Sequence, residues 1–300
     1  PKGLKGVKLS LQILFFKLEY FISAYSKLIK HKLKGGTYKK RLSDDLSIDQ
    51  FREFVLNNNK KRIALFVAYH AKDQLPASNK EYIKSLCKCS FSVVYIHNGK
   101  IEEKIKNEIR DLGCYVICRM NIGQDFGAWK DLLLVIEEYK LNKYLDWILL
   151  CNDSNLYIGG GNGKDFESKL TKLLEDSNNK DLIVLNHNME FCRHFQSYFL
   201  CLSKRIFTGK DFIRFWENYI PLQHRYHAIE NGEKKLSQKI LNKYKPYTIF
   251  NSYDLYNNIS KLINDIDILE TEEIIRLLPK NAFFMEECVN RKQLTAVGLE

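Results

Sequence analysis

Four stretches of this chain carry side chains whose types and spacing can do chemistry. In Asn121-Ile122-Gly123-Gln124-Asp125-Phe126-Gly127-Ala128-Trp129, two glycines allow close backbone approach. A helix starting there would offer N–H groups to a phosphate. The competing account is an N-capped helix, with Asp125 as cap and Gly127 placed for packing. The spacing is not GxGxxG, so it does not point to a dinucleotide. Asn152-Asp153-Ser154 closes an apolar run. One carboxylate between polar side chains can hold a hard divalent cation, Mg or Mn, which would bridge a diphosphate. A turn built on Asp153 is the plain alternative. His194-Phe195-Gln196 can hydrogen-bond sugar hydroxyls through His194 and Gln196, or can be core with a satisfied histidine. Glu230 and Glu233 lie in His227-Ala228-Ile229-Glu230-Asn231-Gly232-Glu233, before a helical pattern. A carboxylate at a helix start is favoured as the anion and can accept a proton from an attacking hydroxyl.

The elements that must position these groups follow from apolar periodicity. Arg62–His70, Ser92–His97, Cys114–Cys118 and Trp147–Cys151 read as buried strands. Helical patterns at 77–89, 101–112 and 125–139 alternate with them, which predicts right-handed βαβ units and a mostly parallel α/β sheet. Ligands bind beyond the carboxyl ends of such strands. His70, Asn98, Asn121 and Asn152–Ser154 all stand just after strands. Further on, 182–185 and 198–202 read as strands, and 212–219 and 234–244 as helices. Residues 251–300 carry no readable motif.

Charge is unevenly spread. Of the 47 basic and 36 acidic residues, eleven and one fall in 1–41, which leaves 36 and 35 over 42–300. A nearly neutral body argues against nucleic-acid binding. The basic segment reads as an amphipathic helix over 7–33, with Leu14, Leu18, Phe21, Tyr25 and Leu28 on one face. It is expected either to lie on an anionic membrane surface or to pack on protein. No stretch approaches the length needed to span a bilayer, and no signal-peptide cleavage site is evident. The eight cysteines form no CxxC pair and read as buried reduced thiols of a cytosolic protein. The expected organisation is an arm over 1–45, a catalytic domain over 60–250 and a helical extension over 251–300.

Taken together, RIALFVAYH, NIGQDFGAW, LLCNDS, HFQSYFL and EKKLSQKIL occur in an order and at spacings that resemble the rhamnan synthesis protein F family. The resemblance covers about 62 to 245. It implies a GT-A-like glycosyltransferase, moving rhamnose or a related sugar from a nucleotide-sugar donor to a glycan or lipid-linked glycan. It places the enzyme at the inner face of a bacterial cytoplasmic membrane. It assigns His70, Asn98, Asn121, Gly123, Asp125, Asn152, Asp153 and Ser154 to the donor, His194 and Gln196 to the sugar or acceptor, and Glu233, or else Glu230, to the base of an inverting transfer. The usual DxD metal motif is here Asn-Asp-Ser, leaving Asp153 as the metal-binding carboxylate. The alternatives are a phosphotransferase, for which no GxxxxGK[ST] loop exists, and a catalytically silent module of a polysaccharide assembly complex.

Overall fold

The computed structural model describes residues 41–42, 46–57, 59, 61–70, 74–157, 163–176, 180–185, 187–188, 194–249 and 283–285, plus six positions between 15 and 26. The helix expected over 7–33 and the extension over 251–300 therefore lie almost wholly outside the described residues.

A seven-stranded sheet organises the domain. Its strands are β1 (Arg62–Ala68), β2 (Ser92–Asn98), β3 (Tyr115–Arg119), β4 (Trp147–Asn152), β6 (Leu182–Val184), β9 (Phe199–Ser203) and β10 (Pro246–Thr248), in the spatial order β10-β6-β9-β4-β1-β2-β3. β3, β2, β1 and β4 run parallel, as do β6 and β10; β9 is antiparallel to both β4 and β6. Short strands β5 (Asn155–Tyr157) and β11 (Phe283–Met285) pair with each other, and β7 (His187–Asn188) pairs with β8 (His194–Phe195).

All seven residues of β1 are buried, because helices cover both faces of the sheet. Ile63, Leu65 and Val67 point to one side, where α4 (Gln124–Glu138) packs through Trp129, Leu132 and Ile136. Ala64, Phe66 and Ala68 point to the other, against Tyr82, Ile83 and Leu86 of α2 (Ala77–Lys88). This alternation gives the strand its uninterrupted apolar reading. The Trp129 indole donates to the Leu65 carbonyl at 3.1 Å, tying α4 to β1 at mid-length.

The segment just before β1 is structured. α1 (Ile48–Leu56) is capped by Ser47, whose hydroxyl accepts from the Gln50 N–H, and it buries Phe51 and Val55. Arg41 and Leu42 also belong to the domain: Leu42 bridges Arg119, and the Arg41 carbonyl accepts from the Met120 N–H at 2.9 Å. Arg41 is 4 % exposed and paired with Asp131. Its charge is thus spent inside the protein, which corrects its inclusion among basic residues facing a membrane.

α3 (Glu103–Asp111) links β2 to β3, and α5 (Gly163–Glu175) packs against α2. After β9 come α6 (Lys204–Phe207) and α7 (Lys210–Asn218). A helical run follows as α8 (Arg225–His227), a π-helix (Ala228–Lys234) and α9 (Lys235–Lys239).

Candidate functional site

The carboxyl ends of β1, β2 and β4 and the start of α4 converge on two carboxylates. Asp153 follows β4, and its side chain accepts from the Tyr69 N–H at 3.0 Å, one residue past the end of β1. Asp125, in the first turn of α4, accepts from the Asn152 side-chain amide at 2.7 Å. Asn152 thereby stands between the two acids. Its own carbonyl oxygen accepts from the Ser154 N–H and hydroxyl, so the turn after β4 is built on Asn152 rather than on Asp153. Burial, and then the neighbouring Asp153 charge, push the Asp125 carboxyl up to about 7. Asp153 is also raised, chiefly by burial. Two acids sharing a poorly solvated corner cannot both ionise cheaply.

A stability consequence follows. An acid with a raised folded pKa holds its proton longer in the native state, so its contribution to stability is present at low pH and is lost as pH rises from about 4 to about 7. Asp125→Asn should flatten that segment of a pH–stability curve, with a gain of a few kcal/mol at most at pH 8. Urea unfolding of both proteins at pH 5 and 8 measures it; equal slopes would remove the acid pair.

The remaining residues expected at the donor fall into two groups. His70 stands close enough to Asp153 to favour its ionised form, while its ring meets the Tyr95 hydroxyl at 3.1 Å and its backbone N–H donates to the His97 ring. Asn98 belongs to the other group: it is 1 % exposed, and its side-chain oxygen accepts from Arg119. Arg119 also binds Asp131 and the Ile122 carbonyl, which makes Asn98 part of a buried Arg41–Asp131–Arg119 network beneath the site. Asn121 stands at the loop before α4, with its side-chain oxygen enclosed. Gly123 takes a left-handed φ of 80°, and a Cβ there would come within 2.3 Å of Pro221, so the glycine also admits a neighbouring loop. Gln124 also takes a left-handed φ of 52°, a strained entry into α4 for a non-glycine residue.

The structure joins the two halves of the site through a glycine. Gly232 sits in the π-helix with the Phe126 ring 2.7 Å from where a Cβ would be. Asp125 and Glu233 are each one residue from that contact. Glu233 accepts from the Ser197 N–H at 2.8 Å and lies 3.5 Å from His194 Nε2. Ser237, one turn on, accepts from the Phe195 N–H at 3.0 Å. His194, the chain around Gln196, and Glu233 are therefore brought together, with Gln196 itself part-exposed. Glu230 is drawn away to Lys234. The helical run begins at Arg225, so Glu233 is not at a helix start, and hydrogen bonds rather than a helix dipole hold its carboxylate. π-helical turns of this kind gather at functional sites.

Because Phe126 is buried, its ring has little room to yield. Gly232→Ala should cost about 1–3 kcal/mol by overpacking and should displace Glu233. Denaturant unfolding measures the first effect. A substitution costing under about 0.5 kcal/mol would mean the contact is soft.

The sequence reading missed Tyr69, Tyr95 and His97. Tyr69 is 62 % exposed and stacks on His97, whose ring is 1 % exposed and whose pKa burial lowers. For Tyr69 and His97 a position at a strand end was the available signal; Tyr95 stands at mid-strand in β2 and gave none. The six described cysteines are free thiols, five of them buried. Among the described residues, no helix is long and apolar enough to cross a membrane, and no group of three or more His, Cys, Asp or Glu is arranged to hold a metal.

Comparisons with known proteins bear on this arrangement. An uncharacterised protein of Sinorhizobium fredii, y4gN, is 25 % identical over 161 residues, 52 % of this chain and 40 % of that protein. Two crystal structures of the glycosyltransferase GlyE from Streptococcus pneumoniae TIGR4 resemble it at 16 % and 15 % identity, with TM-scores of 0.41 and 0.38. These cover 70 % and 80 % of this chain, and 52 % and 64 % of theirs. The chain thus spans less than two thirds of each relative's length. Residues 93–287 match the family described as rhamnan synthesis protein F, a span that runs from within β2 through β11 and includes both carboxylate clusters. The chain belongs to the rhamnan synthesis protein F family.

Proposed function

We propose that this protein is a glycosyltransferase of GT-A type, transferring rhamnose or a related deoxysugar from a nucleotide-sugar donor to a growing surface glycan. The observation that carries this reading is the acid pair Asp125–Asp153 at the carboxyl ends of a parallel sheet, one helical contact from Glu233. The donor diphosphate would lie against the pair, with exposed Tyr69 offering a flat face to the base.

Two part-buried carboxylates that resist joint ionisation are a hard-oxygen donor set suited to Mg or Mn, which commonly takes one or two carboxylates plus phosphate oxygens. When bound, such an ion would offset charge developing on the leaving diphosphate. The protein's own groups do the rest. Asn152 and the Tyr69 N–H orient the two acids. His194 and Gln196 contact the sugar or acceptor. Glu233 accepts the acceptor hydroxyl's proton as that oxygen attacks the anomeric carbon from the face opposite the diphosphate, which inverts the configuration. The acceptor is a lipid-linked glycan at the inner face of the bacterial membrane. Exposed Phe15, Leu18 and Ile22, spaced three and four apart, support contact of the basic arm with an anionic surface.

The test is direct. Purified protein incubated with nucleotide sugars and Mn should release nucleoside diphosphate, and Asp153→Asn should reduce release about 100-fold or more. Mn should also raise the thermal midpoint at pH 8 more than at pH 5.5, where protons occupy the acids. Donor binding with no turnover by any acceptor would favour the silent module. Metal-independent turnover would keep the acids and remove the ion.

A further inference from the structure

A second concave site lies on the other side of the helical run that carries Glu233. It is a cavity of about 470 Å³ between α7 and the run from His227 to Lys243. Arg214, Lys235, Lys239 and Lys243 line it, and Asp211 is its one carboxylate. Asp211 is already matched by Lys243 at 2.6 Å. The walls between these charges are Phe215, Tyr219, Ile220 and Ile240.

The spacing of the cations is informative. Lys235, Lys239 and Lys243 recur every four residues and so fall on one stripe, with Asn231 and His227 continuing it inward. Like charges at this spacing oppose one another. Lysines near a helix end do complement its dipole, yet that role requires neither a cavity nor Arg214 from a different helix. The inner end of the stripe is closed by hydrogen bonds. Lys235 donates to the Asn231 oxygen, the Asn231 amide donates to His227 Nδ1 at 3.1 Å, and His227 Nε2 donates to the Ile220 carbonyl at 2.9 Å. That chain needs a neutral His227, in keeping with a pKa lowered by burial. Positive charge in the cavity therefore comes from the lysines and Arg214, clustered at its mouth over an apolar wall. The volume suits one small molecule rather than a polymer track.

We propose that this cavity binds a phosphate ester, with the phosphate held by Arg214, Lys239 and Lys243 and an apolar stem laid against Phe215 and Ile240. The site goes beyond the transfer reaction and does not depend on it, because Glu233 and Ser237 face the segment 194–197 on the opposite side of the helical run. A soluble ester and a lipid headgroup share this chemistry.

Calorimetric titration of the full chain at about 50 mM salt with hexyl phosphate and with inorganic phosphate tests the site. Hexyl phosphate should bind saturably with a Kd below about 1 mM, and inorganic phosphate about tenfold more weakly. Raising salt to about 0.5 M should weaken both. The double variant Arg214→Gln, Lys239→Gln should lose about tenfold or more in affinity, Lys239→Arg should retain it, and Asp153→Asn should leave it unchanged. Both substituted side chains are exposed, so the variant should fold normally. No saturable binding, or equal affinity in the double variant, overturns the proposal; equal affinity for the two phosphates overturns the apolar subsite. Monomeric dihexanoyl phosphatidic acid, which offers the basic arm no surface, separates the sources: binding about tenfold tighter than hexyl phosphate and lost in the double variant identifies a lipid phosphate, and weaker binding than hexyl phosphate identifies a soluble ester.

Discussion

Asp131→Asn is expected to destabilise the domain by about 3–5 kcal/mol, the usual cost of removing one partner from a buried ion pair. Asp131 is fully buried, and both Arg41 and Arg119 donate to its carboxylate. Neutralising it leaves two enclosed guanidinium groups without the carboxylate they share, with the Asn98 and Ile122 carbonyl oxygens still accepting from Arg119. Shortage of counter-charge, not lost packing, is the cause, because asparagine nearly matches the shape. Denaturant unfolding gives the number. Combining Asp131→Leu with Arg41→Met and Arg119→Met should recover much of the loss, since apolar triads of similar volume often match buried ionic ones. A single-variant loss below about 1 kcal/mol would show that water reaches the network.

Glu233→Gln is expected to lower turnover about 10²–10⁴-fold with donor affinity nearly unchanged, the usual loss for an absent general base. The amide oxygen of glutamine can still accept from the Ser197 N–H, so the fold around 194–197 should hold. Glu230→Gln should be mild, because Glu230 is engaged by Lys234 on a different side of the helix. Single-turnover rates with saturating donor, together with donor Kd for each variant, separate chemistry from binding. Retained turnover in Glu233→Gln with loss in His194→Gln would move the base to the histidine. Retention in both would detach this segment from the reaction.

The parallel core was legible because apolar runs such as RIALFVA admit few alternatives once bounded by polar strand ends. The boundaries of β1, β2, β3, β4 and α4 fall within about two residues of the sequence reading, and so the convergence of His70, Asp125 and Asp153 could be anticipated. Less legible were features fixed by tertiary contact. Asn98 follows the same strand-end rule as Asn152, yet it turns inward because Arg119 on the adjacent strand needs an acceptor. Gly123 reads as part of a phosphate loop, and nothing local to it shows that it also leaves room for Pro221, about a hundred residues distant. The π-helix was invisible to a search for 3.6-residue periodicity, which placed the helix start at 234 and thus gave Glu233 the wrong neighbours. α1 and α5 were missed too, although Phe51 and Val55 in the first and Phe166, Leu170 and Leu174 in the second stand at helical spacing.

Arg41 has a practical consequence for how this protein can be cut. Composition alone invites a fragment starting at 46 or 60, past the lysine-rich stretch. Such a fragment would discard a counter-ion of Asp131 and the backbone partner of Met120, and would begin life with an electrostatic defect. A fragment starting at 40 or 41 keeps both. The N-terminal limit of a stable fragment is therefore defined by a guanidinium group, several residues upstream of where sequence complexity would draw the line.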